Sequence, residues 1–298
     1  MSRMLIMQME RFGRLSPEEK LALIGVGMRQ RELPAAADLS FEGSADSTAV
    51  LLAGIACRYV VMPGGRRQIL AYVLPGEFCD RQAGDQLFED HRIGALSDIK
   101  IMRCNRGEIE QLSGRFSRIA RALELARAVE QATLRQWLLS LGTRDALDRT
   151  AHLLCELFTR FRALGLARGG ECEIALRQTD LADALGLTPV HVSRTLSKLR
   201  QRNLATFSHR RFRVLDWRAL RDLCAFRADY LFAGTCAAYE DLHDEVESTS
   251  AALDPMAQVT RTPALSEQHR KRAEPAPAGG EVKARLSSTL NAGASSPA

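Results

Sequence analysis

Residues 181–204 read LADALGLTPVHVSRTLSKLRQRNL. Two short runs of helical period flank a break at Gly186-Leu187-Thr188-Pro189. The first run is expected to be helical over 178–185, with Leu181 and Leu185 on one face and Ala182 small enough for a second helix to cross closely. Gly186 stands where a helix ends in left-handed backbone. Thr188 is placed to cap a second helix and Pro189 to occupy its first position. In that helix Val192, Leu196 and Leu199 follow i, i+4, i+7 and form a buried face. Val190, Ser193, Arg194 and Ser197 fall opposite, flanked by Pro189, His191 and Lys198. The pattern predicts a helix-turn-helix with its polar helix start turned outward. A helical hairpin serving only a globular core is the alternative.

Charge separates the two. Between Arg177 and Arg221 stand ten Lys or Arg and three acids, a local +7, whereas the rest of the chain sums to −2. A basic module on a near-neutral body implies a polyanionic partner. Arg194 can donate two hydrogen bonds to the O6 and N7 edge of guanine, worth about 1–3 kcal/mol of discrimination. Thr188, His191 and Ser193 are short enough to reach phosphates or base edges. Residues 205–215, ATFSHRRFRVL, read as a small hairpin whose tip, His209, Arg210 and Arg211, would touch the flanking backbone as a wing. Any one of these residues alone reads as solvated surface. Together with the Gly turn and the Thr-Pro start they point to double-stranded DNA.

The remaining chain supplies the frame. With 298 residues, 46% hydrophobic and 26% charged, there is material for two ordinary domains with packed cores. The seven cysteines are scattered, odd in number and never spaced C-x-x-C, which argues against a disulfide framework, a zinc site or an iron–sulfur cluster. They read as buried thiols in a reducing compartment, and no metal or cofactor is expected. No apolar run is long enough to span a membrane, and MSRMLIMQMERFGRL makes a poor signal peptide, so the cytoplasm is the expected location. No Ser-His-Asp arrangement or phosphate loop points to an enzyme.

Ser16-Pro17-Glu18-Glu19 is a helix start. Residues 57–61 and 69–73 alternate around Pro63-Gly64-Gly65 and predict a β-hairpin, with 95–104 as another strand. From about 108 the period turns helical. Phe116, Ile119, Leu123, Ala126, Thr133 and Trp137 make a narrow apolar seam, interrupted by Glu130, on a helix of roughly 30 residues. That seam suits a helix–helix dimer contact, with packing on its own domain as the alternative. A helix over 146–164, a short strand over 171–176 and a closing helix over 216–231 complete an α+β chain. Beyond 244 the composition shifts to Ser, Ala, Pro and Gly without period.

QTDLADALGLTPVHVSRTLSKLRQRNL with its hairpin and DWRALRDLC resembles the winged helix-turn-helix of the Crp/Fnr family of bacterial transcription regulators. The upstream GIACRYVVMPGGRRQILAYVLPGEF is similar to that family's β-roll, the cyclic-nucleotide-binding fold. The resemblance implies a β-roll sensor over 1–108, a dimerisation helix over 109–142, a winged helix-turn-helix over 143–232 and a disordered tail over 244–298. It implies a homodimer on a palindromic site, RNA polymerase as a further partner, and an effector pocket around Gly76, Glu77, Phe78 and Cys79, its effector unknown. The departures matter as much. Cyclic-AMP-binding members follow the Gly-Glu pair, here Gly76-Glu77, with a phosphate-gripping Arg-Ser/Thr-Ala segment, and Glu89-Asp90-His91 stands there instead. Two carboxylates repel a phosphate. No cysteine precedes Cys57 to hold the oxygen-sensing cluster of other members, and a lone Cys79 and His91 make a weak haem site. Val190 replaces the Glu that many members present to cytosine N4. Arg177 replaces a Ser or Thr at the first helix start, leaving the cap missing or moved to Thr179. A sensor or partner-binding protein that keeps the fold without reading DNA is the alternative function.

Overall fold

The alternating stretches of the first hundred residues close into two three-stranded antiparallel sheets. The computed structural model describes residues 3–39, 47–80 and 91–231; the expected tail over 244–298 and the Glu89-Asp90 pair lie outside these described residues. Two short helices come first, α1 (Arg3–Glu10) and α2 (Pro17–Gly25). Ser16 and Glu19 form a reciprocal capping box at the start of α2, with Pro17 in its first turn. The strands are β1 (Gly27–Leu33), β2 (Ser47–Ala53), β3 (Ala56–Val61), β4 (Arg67–Val73), β5 (Arg92–Ala95) and β6 (Ile99–Asn105). One sheet runs β1-β6-β2 and the other β4-β3-β5. A single apolar cluster, including Leu33, Leu51, Ala56, Val73, Ile93 and Ile101, takes residues from all six strands.

Two expectations need correction here. The single strand over 95–104 is two strands in different sheets. The Leu96 and Ser97 amides both donate to the Ile55 carbonyl, turning the chain between β5 and β6. The helix over 109–142 is likewise two, α3 (Arg106–Arg115) and α4 (Ser117–Thr143), because Phe116 lies extended at φ −122° and ψ 103°.

Along α4 the predicted seam turns inward. Ile119, Leu123 and Trp137 are buried within their own chain. A second stripe, Leu134, Leu138 and Leu141 at i, i+4, i+7, stays exposed, Leu138 at 72%. Asp145 caps α5 (Ala146–Ala163) with one carboxylate oxygen that accepts from the amides of Leu147 and Asp148. Then follow β7 (Ala167–Arg168), β8 (Glu171–Glu173), α6 (Gln178–Leu185), α7 (Pro189–Gln201), β9 (Ala205–Ser208), β10 (Arg211–Val214) and α8 (Trp217–Cys224). The strands pair in the order β7-β8-β10-β9. The expected closing helix stops at Cys224. Ala225 adopts a left-handed cap at φ 48°, and among the described residues a 3-10 turn, Asp229–Leu231, follows.

The largest apolar cluster joins the two halves. Ile55, Tyr59, Ile69, Tyr72 and Leu74 of the strand region pack in one cluster with Leu157, Leu181, Val192, Phe212 and Trp217. All described residues belong to one compact unit.

Candidate nucleic-acid interface and sensor cavity

Local chemistry builds the helix-turn-helix as the spacing predicts. Gly186 ends α6 at φ 62° and ψ 32°, and its amide donates to the Ala182 carbonyl. The Thr188 hydroxyl accepts from the His191 amide at 3.3 Å and Pro189 opens α7. Val192, Leu196 and Leu199 are buried. Thr195 is buried too, its hydroxyl 3.1 Å from that of Thr150 on α5. This polar tie between α7 and α5 had no signal in the spacing. Of the two expectations for the α6 start, the missing cap is the one seen: Arg177 is the N-cap residue and its side chain accepts no helix amide. Asp180, at the third position, accepts from the Arg177 amide at 2.9 Å and ties down the helix start from inside.

Pro189, Val190, His191, Ser193, Arg194 and Lys198 all lie exposed, with Thr188 beside them and Ser197 half-buried. Val190 is 59% exposed, an unusual setting for an apolar side chain at a helix start. At the wing tip His209 and Arg210 both take positive φ, 50° and 63°. A two-residue turn of that hand normally uses Asn or Gly, so two bulky cationic or polar residues are held there against a local backbone cost of about 1–3 kcal/mol each. Arg211 points from β10 near Glu171, at 3.8 Å. The structure thus brings the expected α7 residues and the wing tip onto one small domain, exposed except for the half-buried Ser197.

The residues expected to form an effector pocket sit elsewhere. Gly76 has φ 88°, and a Cβ there would lie 2.4 Å from the Met4 carbonyl oxygen, so only glycine lets α1 approach. Phe78 and Cys79 are buried, and burial pushes the Cys79 thiol up to about 12, which makes it a packed, unreactive group. Glu77 lines a cavity of about 250 Å³ between the strands and α4, together with Met9, Phe12, Leu70, Val129 and Leu134. Its carboxylate is already taken: Arg160 of α5 donates at 3.0 and 2.8 Å, and the Leu74 amide donates at 3.0 Å. Arg58 donates to the Phe78 and Cys79 carbonyls and pairs with Glu130. The glutamate that interrupts the α4 seam therefore has a partner across the cavity.

Behind Arg160 lies a buried carboxylate that sequence reasoning did not single out. Glu156 is fully buried and accepts from Trp137 Nε1 of α4 at 3.2 and 3.1 Å and from the Tyr230 hydroxyl at 2.8 Å. Arg160 approaches it at 3.5 Å. Burial pushes this carboxyl above its ordinary range, with Arg160 and the two donors opposing. Cavity, long helix α4 and α5 are thus joined by one polar chain. No group of three or more metal-ligating side chains occurs among the described residues. None of the described helices is long and apolar enough to cross a membrane.

Comparison with known proteins agrees with this geometry. The Crp-like helix-turn-helix domain family matches residues 148–223. The chain is 31% identical over 182 residues to the nitrogen fixation regulation protein FixK of Azorhizobium caulinodans, covering 60% of this chain and 72% of that one. It is 31% identical over 206 residues to the transcriptional activatory protein AadR of Rhodopseudomonas palustris, covering 68% and 84%. Among solved structures, FixK2 from Bradyrhizobium japonicum superimposes with a TM-score of 0.57 at 26% identity, covering 67% of this chain and 98% of that one.

Proposed function

The chain belongs to the Crp/Fnr family of DNA-binding transcription regulators, and from that membership we propose that it works in the cytoplasm as a homodimer that reads a palindromic site. The observation that carries this reading is the exposed start of α7. Val190, His191, Ser193 and Arg194 share it, with Thr188 and Pro189 ordering its first turn, and the half-buried Ser197 and exposed Lys198 continue it along the helix. In the proposal Arg194 takes a guanine edge, Val190 meets a thymine methyl, and His209, Arg210 and Arg211 hold the flanking phosphates. The exposed Leu134, Leu138 and Leu141 stripe is the contact with the second copy, replacing the buried seam of Ile119, Leu123 and Trp137. The proposed division is a strand region ending at Asn105, the helices α3 and α4 up to Thr143, and the winged helix-turn-helix from Arg144 on. RNA polymerase is the further partner such a regulator needs.

The pocket around Gly76, Glu77, Phe78 and Cys79 is proposed as a sensor site not built for cyclic AMP. Glu77 is spent on Arg160, and in the sequence Glu89-Asp90-His91 stands in place of the phosphate-gripping segment of members that bind cyclic AMP. The rival reading, a fold retained without DNA recognition, calls for a blocked or disordered reading helix or a dimer geometry that cannot straddle one duplex; among the described residues α7 is a regular helix with an exposed face.

Selection of random duplex DNA by the purified protein, followed by anisotropy titration at two salt concentrations, tests the proposal. A palindromic winner bound far more tightly than scrambled DNA is the expected result. Arg194→Ala should lower affinity for that winner by about 10–100-fold while leaving weak, salt-steep binding intact. An unchanged site preference in Arg194→Ala would remove the assigned role of that side chain. Binding to no duplex at any salt would refute DNA reading.

A further inference from the structure

The strand region grips the helix-turn-helix directly. Arg67, at the start of β4, is separated by more than a hundred residues from the carboxylates it holds. Its Nη2 donates to Asp180 at 2.8 Å and its Nε to Asp183 at 2.8 Å. Two neighbours on the same strand add to the grip: the Tyr72 hydroxyl donates to the Asp180 carbonyl at 3.0 Å, and the Gln68 amide to the Ala184 carbonyl at 3.4 Å. Asp180, Asp183 and Ala184 stand at i, i+3, i+4, so one face of α6 is fastened to the β3–β4 hairpin. Asp180 is fully buried and also caps α6. The opposing side of α6 carries Leu181 and Leu185 into the cluster that holds Val192 of α7.

The covalent route from α4 to the reading helix passes through a break. Arg144 and Asp145 separate α4 from α5, at φ −86° and −68° with extended ψ. Arg149 of α5 spans that joint, donating to the Leu141 and Arg144 carbonyls at 3.3 and 3.0 Å and to the Leu185 carbonyl of α6 at 2.8 Å. These bonds hold α6 at its C-terminal end, and the β4 grip holds it along its side, so the two attachments together define its angle.

We infer that Arg67 is a positioning residue for DNA reading, fixing the angle at which α7 is presented relative to α4. The inference rests on the dimeric reading proposed above. Two copies must place their reading helices one helical turn apart on a duplex, so a fixed angle within each copy becomes a fixed spacing between half-sites. Removing the guanidinium leaves the buried Asp180 charge undercompensated, which loosens the contact rather than leaving a neutral gap. Lysine is no substitute, because one ammonium cannot fork to two carboxylates.

The full-length protein, Arg67→Ala, and the milder Asp183→Asn are compared on the selected palindrome, on versions with the spacer one base pair longer or shorter, and on a single half-site. Wild type should discriminate against both altered spacers. Arg67→Ala should lose about tenfold of that discrimination with single half-site affinity preserved, and Asp183→Asn should fall between. A merely structural role would lower both affinities together and leave the spacing ratio alone; that outcome overturns the inference. So does full discrimination in both variants. Hydrogen exchange of the β4 and α6 amides separates this result from a failure of the dimeric reading. If wild type shows no spacing preference, the dimeric reading falls. The inference falls with it, whereas faster exchange confined to β4 and α6 in Arg67→Ala would still establish the grip itself, and unchanged exchange would remove that too.

Discussion

Replacing His152 with Phe should flatten the acid side of the stability profile. His152 lies on α5 at 2% exposure, with Phe226 edge-on at 5.2 Å and Tyr230 stacked at 6.3 Å. Burial, with a smaller push from the Arg144 charge, lowers this imidazole to about 3; the unfolded value is about 6.5. The fold therefore holds the neutral ring. As pH falls below 6.5 the unfolded chain takes up a proton that the native state excludes, so stability drops from there until about pH 3. The limiting slope is about 1.4 kcal/mol per pH unit, and the loss between pH 7 and pH 5 is about 2 kcal/mol. Urea unfolding of wild type and His152→Phe, at pH 7 and pH 5 and one fixed protein concentration, measures it. Phenylalanine keeps the ring and its aromatic neighbours. Glu156 and Asp148, both pushed upward by burial, titrate in both proteins and drop out of the difference. Wild type should lose about 2 kcal/mol more than the variant on going to pH 5. Equal losses would mean that the folded state protonates His152 freely, and the assigned burial effect would be wrong.

Two further perturbations address the interfaces. Leu138 is 72% exposed on the α4 stripe, so Leu138→Glu should leave monomer stability within about 0.5 kcal/mol yet shift sedimentation from dimer to monomer; a persistent dimer would place the contact elsewhere. Val190→Glu should change the base preferred at one position of each half-site from thymine to cytosine, because a carboxylate accepts from cytosine N4. A repeated selection that returned the original site would show that Val190 faces no base.

The elements legible from residues alone were those whose cause is local. Gly186, Thr188 and Pro189 each act within one turn, and the end of α6 and the start of α7 followed from them. The Pro63–Gly65 turn did the same for the β3–β4 hairpin. What escaped notice depends on distant partners. Strand 95–104 is divided by amides that bond Ile55, and nothing near Leu96 announces that. Phe116 breaks the helical run, but here the local mark, Gly114 two residues earlier, was there to be weighed as a helix end. The apolar seam of α4 was visible, but an apolar stripe carries no label for its partner, and Ile119 and Trp137 are covered by their own chain. The ion pairs Arg67–Asp180 and Arg160–Glu77 join residues 113 and 83 positions apart. In the sequence, Arg67 and Arg160 look like two of many surface arginines.

The cluster shared by the strands and the helix-turn-helix also bears on how the protein is made. Ile69, Tyr72 and Leu74 leave the ribosome early, but the helices that cover them, α5 and α6, end at Ala163 and Leu185. Synthesis of those roughly 110 intervening residues takes roughly 6–20 s at cellular rates. For that interval the outer face of the newborn sheet is apolar and bare, a surface that chaperones bind and that neighbouring nascent chains can stick to. The first domain of this protein is completed only when the second one is.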